Sequence, residues 1–410
     1  MHRSATGRGT SITAKAIRLL RDPLFLYKLG EKVGELGVVG EKRNILILGL
    51  AGIGRTQPTN ASVIVKGSTS SGKSTLVKAV AQVFPSDCVI ERASLSPKAL
   101  AHGKGTLAGK IFLLREYRGG RDALLLLRLL QSEGQIEHEF TSIRGSKRST
   151  ETARRVGTPV VLTTTTEAKV FEDDETRFLS LWADESPDQS LAIMVARVSG
   201  PRVINHRDLP VWRKALSLLV FKKRDFENPP GWLRYVAEQL PLERVRVRRD
   251  WDRFLSFCKS IALCRGDWQP KRPINITFRD YCVAYRIFEP VLASTLRGVR
   301  TQELALGRAV AKLNRQLQRA ATIREIASDL GWSEPVVYKY VKSATRTGLV
   351  EYEEGTRERN VKRILACEHE SGRFLPSPRR VMRDNPEIGS ELSFIDPFTG
   401  ARQTISGGTK

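Results

Sequence analysis

Residues 63–75 read VIVKGSTSSGKST, and this stretch decides the fold. A β-branched apolar run leads into Gly67, and Gly67, Gly72, Lys73 and Ser74 keep the spacing GxxxxGK[ST]. The next residues, LVKAVAQVF, have helical periodicity. Strand, glycine turn and helix in this order make a phosphate-binding loop. Its backbone N–H groups converge on phosphate oxygens at a helix N-terminus, across Gly67, Ser68, Thr69, Ser70, Ser71, Gly72, Lys73, Ser74 and Thr75. Lys73 should reach the β- and γ-phosphates, and the Ser74 hydroxyl should ligate the metal. The implied ligands are ATP and Mg2+.

Working outward, residues 109–117 read GKIFLLREY, an apolar strand ending in Glu116. A second nucleotide-contacting strand normally ends in two acids, one for the magnesium shell and one to activate water. Arg115 stands in place of the first. Glu116 remains to orient or deprotonate water, while Arg115 either weakens hydrolysis or points away and holds a neighbouring element. Residues 159–167, PVVLTTTTE, read as another buried strand, with Thr165 and Thr166 at its end. Threonines there either position the attacking water or express plain β-propensity. In FEDDETRFLSL, 171–181, Arg177 either stabilises phosphoryl charge across a subunit boundary or pairs with Asp173, Asp174 or Glu175.

Strands and helices alternate from 59 to 200, which gives an α/β fold with a largely parallel sheet. Upstream, residues 1–58 comprise a flexible basic arm over 1–12 and a helical collar. Its apolar positions (Ile17, Leu20, Leu24, Leu26, Leu29, Val33, Leu36) have helical spacing broken by Pro23, and ILILGLAGIG (45–54) reads as a buried, glycine-containing helix. Residues 201–300 are mainly helical, 301–366 form a smaller basic unit, and 367–410, rich in Pro, Gly, Ser and Arg, read as a tail that is flexible or clamped loosely to a neighbour.

The chain has 410 residues, a formal net charge of +24 and a pI near 10.2, a surplus that points to a polyanionic partner such as DNA. Five cysteines without a CxxC pair suggest neither a disulfide framework nor a zinc site. There is no signal-like N-terminus and no apolar run of membrane-spanning length, so the expectation is a cytoplasmic protein with no membrane partner.

Taken in order, GSTSSGKS, IFLLRE, VVLTTTT and ETRFLSL resemble AAA+ ATPases of the helicase type, especially minichromosome-maintenance-like modules and the primase-helicase proteins of phages and mobile elements. The resemblance covers about residues 40–300. It implies an AAA+ P-loop core with a helical lid, catalytic roles for Lys73, Glu116 and Arg177, a sensor at Thr165 or Thr166, and a second sensor at Arg249, with Arg248 nearly as suitable. It also implies a hairpin inserted after the helix from Asp122 to Glu133, carrying Arg144, Lys147 and Arg148 at its tip toward DNA in a central pore. From the residues alone, the same three cations around a glycine turn read rather as an ordinary solvated loop, and it is the resemblance that points them to DNA.

In TIREIASDLGWSEPVVYKYVKSATRTGLVEYEEGTRERNVKRIL, 322–365, two helices and two short strands outline a winged helix-turn-helix similar to the C-terminal module of many archaeal and mobile-element helicases. Tyr338, Lys339, Lys342 and Arg346 would face DNA, with Arg357 and Arg359 in the wing, though such units also dock proteins. The resulting expectation is an ATP-dependent DNA helicase or replication-initiator motor that forms a homo-oligomeric ring, such as a hexamer. A primase or other replication protein is a further partner the resemblance raises. The alternatives are a nucleotide-switched DNA-binding regulator and an ATPase that remodels a transposition or replication partner.

Overall fold

The computed structural model describes all residues except 1–4, 145–146, 168–169, 200–203, 223–224, 227, 243–244, 267–268, 270–272, 298–300, 347–348, 354–362, 367–373 and 408–410. Three helices come first: α1 (Ala5–Leu20), α2 (Phe25–Glu35) and α3 (Lys42–Ile53). The break between α1 and α2 falls at Pro23, as its missing N–H dictates. Helix α3 is ILILGLAGIG with its flank, and Asn44 to Ile53 are all buried. Its glycines have a packing reason. A Cβ on Gly52 would lie 2.4 Å from Cζ of Phe84, so only a bare backbone lets the two elements approach this closely.

The chain then builds a five-stranded parallel sheet from β1 (Ser62–Lys66), β2 (Val89–Arg92) and β3 (Ile111–Leu114), followed after an inserted hairpin by β6 (Val160–Thr165) and β7 (Phe178–Trp182). The spatial order is β2-β3-β6-β1-β7. The hairpin is β4 (Gln135–Arg144) against β5 (Lys147–Val156), antiparallel, with Arg144 opposite Lys147. Between the strands lie α4 (Lys73–Gln82), α5 (Pro97–Ala101), α6 (Arg121–Glu133) and α7 (Glu172–Glu175).

Both faces of the sheet are covered, so its strands are almost uniformly apolar. Side chains alternate across it with period two. Val63 and Val65 of β1, with Leu113 and Leu162, join α3 and α4 in one core. Ile64, Phe112, Leu114, Val161 and Phe178 point the other way and pack with Leu100 of α5 and Leu124, Leu127 and Leu130 of α6.

Beyond β7 come α8 (Pro187–Val198), α9 (Leu209–Leu218), α10 (Trp232–Glu238), α11 (Arg246–Leu263) and α12 (Phe278–Arg297). Helix α9 returns to the N-terminal helices, with Trp212 against Phe25 at 5.4 Å between ring centroids. A smaller unit follows, made of α13 (Thr301–Leu317), β8 (Ala321–Thr322), α14 (Ile323–Leu330), α15 (Glu334–Arg346), β9 (Val350–Tyr352) and β10 (Arg363–Ala366). Its three strands pair antiparallel in the order β8-β10-β9. It has its own core of Leu306, Val310, Ile326, Val337, Val341 and Ile364. Thr322 caps α14 reciprocally with Glu325, and Gly331 ends it in a left-handed turn.

The C-terminal segment differs from the expected flexible tail. Residues 374–407 contain α16 (Pro378–Asp384) and an antiparallel hairpin of β11 (Glu391–Ile395) and β12 (Arg402–Ser406). Phe374, Leu375, Val381, Met382 and Phe394 are buried in the main core, and the Tyr281 hydroxyl donates to the Pro376 carbonyl at 2.6 Å. Buried Asp396 accepts from Arg286 of α12 at 2.7 Å. The basic arm differs too, since α1 already begins at Ala5. No helix among the described residues is long and apolar enough to cross a membrane.

Candidate nucleotide site

Strand β1 delivers the loop to the C-terminal edge of the sheet, where the Gly67 N–H donates to the Thr165 carbonyl of neighbouring β6 at 3.2 Å. Gly72 turns the chain into α4 at φ +84°, a conformation that glycine adopts without strain. Lys73 folds its ammonium back over the loop, donating to the carbonyls of Gly67 at 3.0 Å and Ser68 at 2.5 Å and to Ser71 Oγ at 3.3 Å. Ser68, Thr69, Ser70, Ser74 and Thr75 are exposed along the loop and first helical turn. One carboxylate already touches the loop: Glu185 accepts from the Ser68 N–H at 2.5 Å and from its hydroxyl at 2.8 Å. The strap that carries Glu185 leaves β7 under restraint, with Ala183 N–H on the Lys66 carbonyl and Asp184 N–H on Glu41.

Glu116 and Arg115 diverge, as consecutive residues of an extended chain must. Arg115 turns to the sheet edge and donates to Glu91 of β2 at 2.7 Å. It therefore holds a neighbouring strand and puts no charge in the magnesium-facing position. Glu116 faces the loop, and its Oε1 is buried without a hydrogen-bond partner among the described residues. Burial raises the Glu116 pKa, an effect opposed by Lys73 and Arg118 and assisted by Glu167. Burial lowers that of Lys73, against the pull of Glu116 and Glu185.

Strand β6 stands between β1 and β3 and ties them together. Thr164 donates to the Arg115 carbonyl at 2.6 Å, while the buried Thr165 hydroxyl accepts from the Glu167 N–H at 3.1 Å. Thr166 lies just past the strand and is exposed.

A cavity of about 370 Å³ opens beside the loop, within the size range of small-ligand pockets. Ser70 to Gly72 and Leu76 form one wall, the 37–39 turn another, and Gln189, Ile193, Ala196 and Arg197 of α8 a third. Sequence reading missed the last two walls. No local motif marks them, because they meet the loop only through tertiary packing.

Arg177 lies on the opposite face, with α6, and Arg249 at the start of α11 reaches the same turn. Arg177 donates to the Arg128 carbonyl at 3.3 Å and to Ser132 Oγ at 2.5 Å on the last turns of α6. Two of the acids named as its rivals are engaged elsewhere. Asp174 forms an ion pair with Arg128 at 2.8 Å, and Glu175 with Lys66 at 2.6 Å; the Asp173 side chain lies outside the described residues. Arg249 donates to Thr176 Oγ1 at 2.7 Å, next to Arg177 in the chain, and Arg253 donates to the Thr176 carbonyl. Arg248 is exposed.

For the expected DNA contacts, the hairpin is present, but its tip (145–146) and the side chains of Arg144, Lys147 and Arg148 lie outside the described residues. Tyr338, Lys339 and Lys342 are exposed on α15, whereas the Arg346 side chain and residues 357 and 359 are likewise outside the description.

Comparison with known proteins places the site in context. A family model described as the MTBMA_p00010 P-loop domain matches residues 14–220. A search of curated proteins finds no match. Among solved structures, the chain is similar to a candidate ATPase from Cytophaga hutchinsonii ATCC 33406 (15% identity, TM-score 0.38, 68% of this chain and 88% of that one). It is also similar to a full-length MCM homolog from Methanopyrus kandleri (11%, 0.45, 70% and 61%). A third likeness is to the Aeropyrum pernix ORC1 protein, solved in complex with DNA (14%, 0.24, 84% and 91%). With half of its length matched, from α1 through the phosphate loop to the end of α9, the chain belongs to the MTBMA_p00010 P-loop domain family.

Proposed function

We propose that this protein is an AAA+ ATPase that hydrolyses ATP between the subunits of a ring and works on DNA as a helicase or replication-initiator motor. The observation that carries the reading is Glu116. Its Oε1, buried and without a hydrogen-bond partner among the described residues, faces the loop that carries Lys73, which supports a role in accepting a proton from an attacking water. Lys73 leaves the carbonyls of Gly67 and Ser68 to meet phosphate oxygens, and the loop N–H groups hold them. The exposed Ser74 hydroxyl and the unpartnered Glu116 oxygen fit a magnesium ion, which would be held by Ser74 and the nucleotide's phosphates. When bound, it neutralises phosphate charge and needs few protein ligands. Thr165 at the end of β6, or Thr166 just past it, acts as sensor.

Arg177 and Arg249 meet at the Thr176 turn, and Arg177 packs on α6, on the sheet face away from α4, which suits cations offered to a neighbour's nucleotide. In this reading the β4–β5 hairpin grips DNA through Arg144, Lys147 and Arg148. The unit from α13 to β10 is a winged helix-turn-helix, with Tyr338, Lys339, Lys342 and Arg346 on its binding face. A net charge of +24 supports a polyanionic substrate.

The test is ATP hydrolysis with and without single-stranded DNA, run beside Glu116→Gln and Lys73→Ala. DNA-stimulated turnover lost in both variants supports the motor. No turnover in the parent, with nucleotide still bound, replaces it with a nucleotide-switched DNA-binding regulator.

A further inference from the structure

We infer that the outer face of α8 is a docking seat for a second copy of this chain, whose α6 and Phe171 cover it; this rests on the reading that the site is completed between subunits. Leu191, Met194, Val195 and Val198 stand at i, i+3, i+4 and i+7 on α8 and are between 51% and 83% exposed. Four large apolar side chains on two turns of one helix form a stripe that a lone soluble chain has no reason to keep in water. The other side of the same helix, through Gln189 and Ile193, lines the cavity beside the phosphate loop. Whatever covers the stripe therefore sits about one helix diameter, roughly 10 Å, from the nucleotide cavity.

A second apolar patch surrounds the other half of the proposed chemistry. Leu125 and Leu129, one turn apart on α6, and Phe171 are exposed. The Phe171 ring lies 5.4 Å from the Arg128 guanidinium, on the same turns of α6 that receive Arg177. Helix α6 packs on the sheet face of Ile64 and Phe112, whereas α8 borders the pocket at α4 on the other face. Two apolar patches on different faces of one molecule fit a head-to-tail contact, in which each copy gives one patch and receives the other. Charge agrees with this pairing. Asp188 is exposed on α8, and the exposed Arg249, whose guanidinium donates to Thr176 Oγ1, stands beside Arg177. Joining the patches brings Arg177 of one copy toward the cavity of the next.

The experiment uses the full chain and two variants, Met194→Glu/Val198→Glu on the stripe and Leu125→Glu/Leu129→Glu on α6. Mass is measured by light scattering with a non-hydrolysable ATP analogue, beside fluorescent-nucleotide binding. Each variant alone should fall to monomer while binding nucleotide within about twofold of the parent. Mixed in equal amounts they should form a dimer and nothing larger, because only one junction keeps both patches intact. Val198→Glu alone, at the most exposed position, serves should the pair fold poorly, and should weaken assembly at least tenfold. A stripe variant that assembles like the parent would overturn the inference while leaving the ring reading in place, as would a mixture that stays monomeric. A parent that is monomeric with nucleotide would overturn the between-subunit reading itself, and this inference with it.

Discussion

The hydroxyl of Tyr117, the residue next to Glu116, donates at 2.5 Å to the buried carboxylate of Asp174, three residues before Arg177. The end of the Glu116 strand and the turn that carries Arg177 thus share one acid, which Arg128 neutralises at 2.8 Å. Tyr117→Phe should cost roughly 1–1.5 kcal/mol, the net worth of a hydrogen bond. Asp174→Asn should cost about 3–5 kcal/mol, since it leaves Arg128 without this counter-charge. Chemical denaturation reads both. Equal costs would mean that Arg128 finds another acid.

Arg115 should be dispensable for turnover. Its guanidinium is half exposed and engages Glu91 at the sheet edge. Arg115→Ala should leave kcat within about twofold and cost no more than about 1 kcal/mol, as surface pairs do. A large drop in kcat at unchanged stability would put the side chain back in the nucleotide site.

Glu185 competes with phosphate for the loop. Its carboxylate holds the Ser68 N–H and hydroxyl and adds negative charge where an anion must land. Glu185→Gln should therefore tighten nucleotide binding by about five- to tenfold, the scale of one charge-assisted hydrogen bond. Weaker binding in a fluorescence titration would show instead that the carboxylate organises the loop.

The sign of the Glu116 effect on stability follows from its raised pKa. The folded state holds this proton more tightly than the unfolded chain does. Stability from the group is therefore present below the unfolded value and lost as pH rises through the folded one. Glu116→Gln should abolish turnover and raise Tm by roughly 1–3 °C at neutral pH, and the gain should vanish in acid, where the parent carboxyl is protonated. An unchanged Tm difference from pH 4 to 8 would contradict this.

Much of the nucleotide half was readable because its signals are local. The loop is one continuous segment, the Glu116 strand is a short apolar run with a single inward acid, and ten apolar residues without a break marked α3 as buried. What escaped was set by contacts between distant segments. The 37–39 turn meets Gln189 across some 150 residues, where the Gln189 amide donates to the Val39 carbonyl. Lys66 finds Glu175 across 109. The tail was misread on its Pro and Gly content, although ELSFI alternates and the following DPFTG is turn chemistry. The Asp396 carboxylate accepts the N–H groups of Phe398 and Thr399, and Gly400 closes the turn at φ +71°.

Strand β6 fixes two heights at once, since Thr164 pins the Arg115 carbonyl and the Thr165 carbonyl holds the Gly67 N–H. Those two threonines are adjacent, so the acid and the loop are referenced to neighbouring marks on one straightedge. A one-residue slip of β6 past its neighbours would turn the Thr164 hydroxyl to the other face of the sheet and lose the mark on Arg115. One hydroxyl and the next residue's carbonyl thus act as the gauge for how far Glu116 stands from a phosphate.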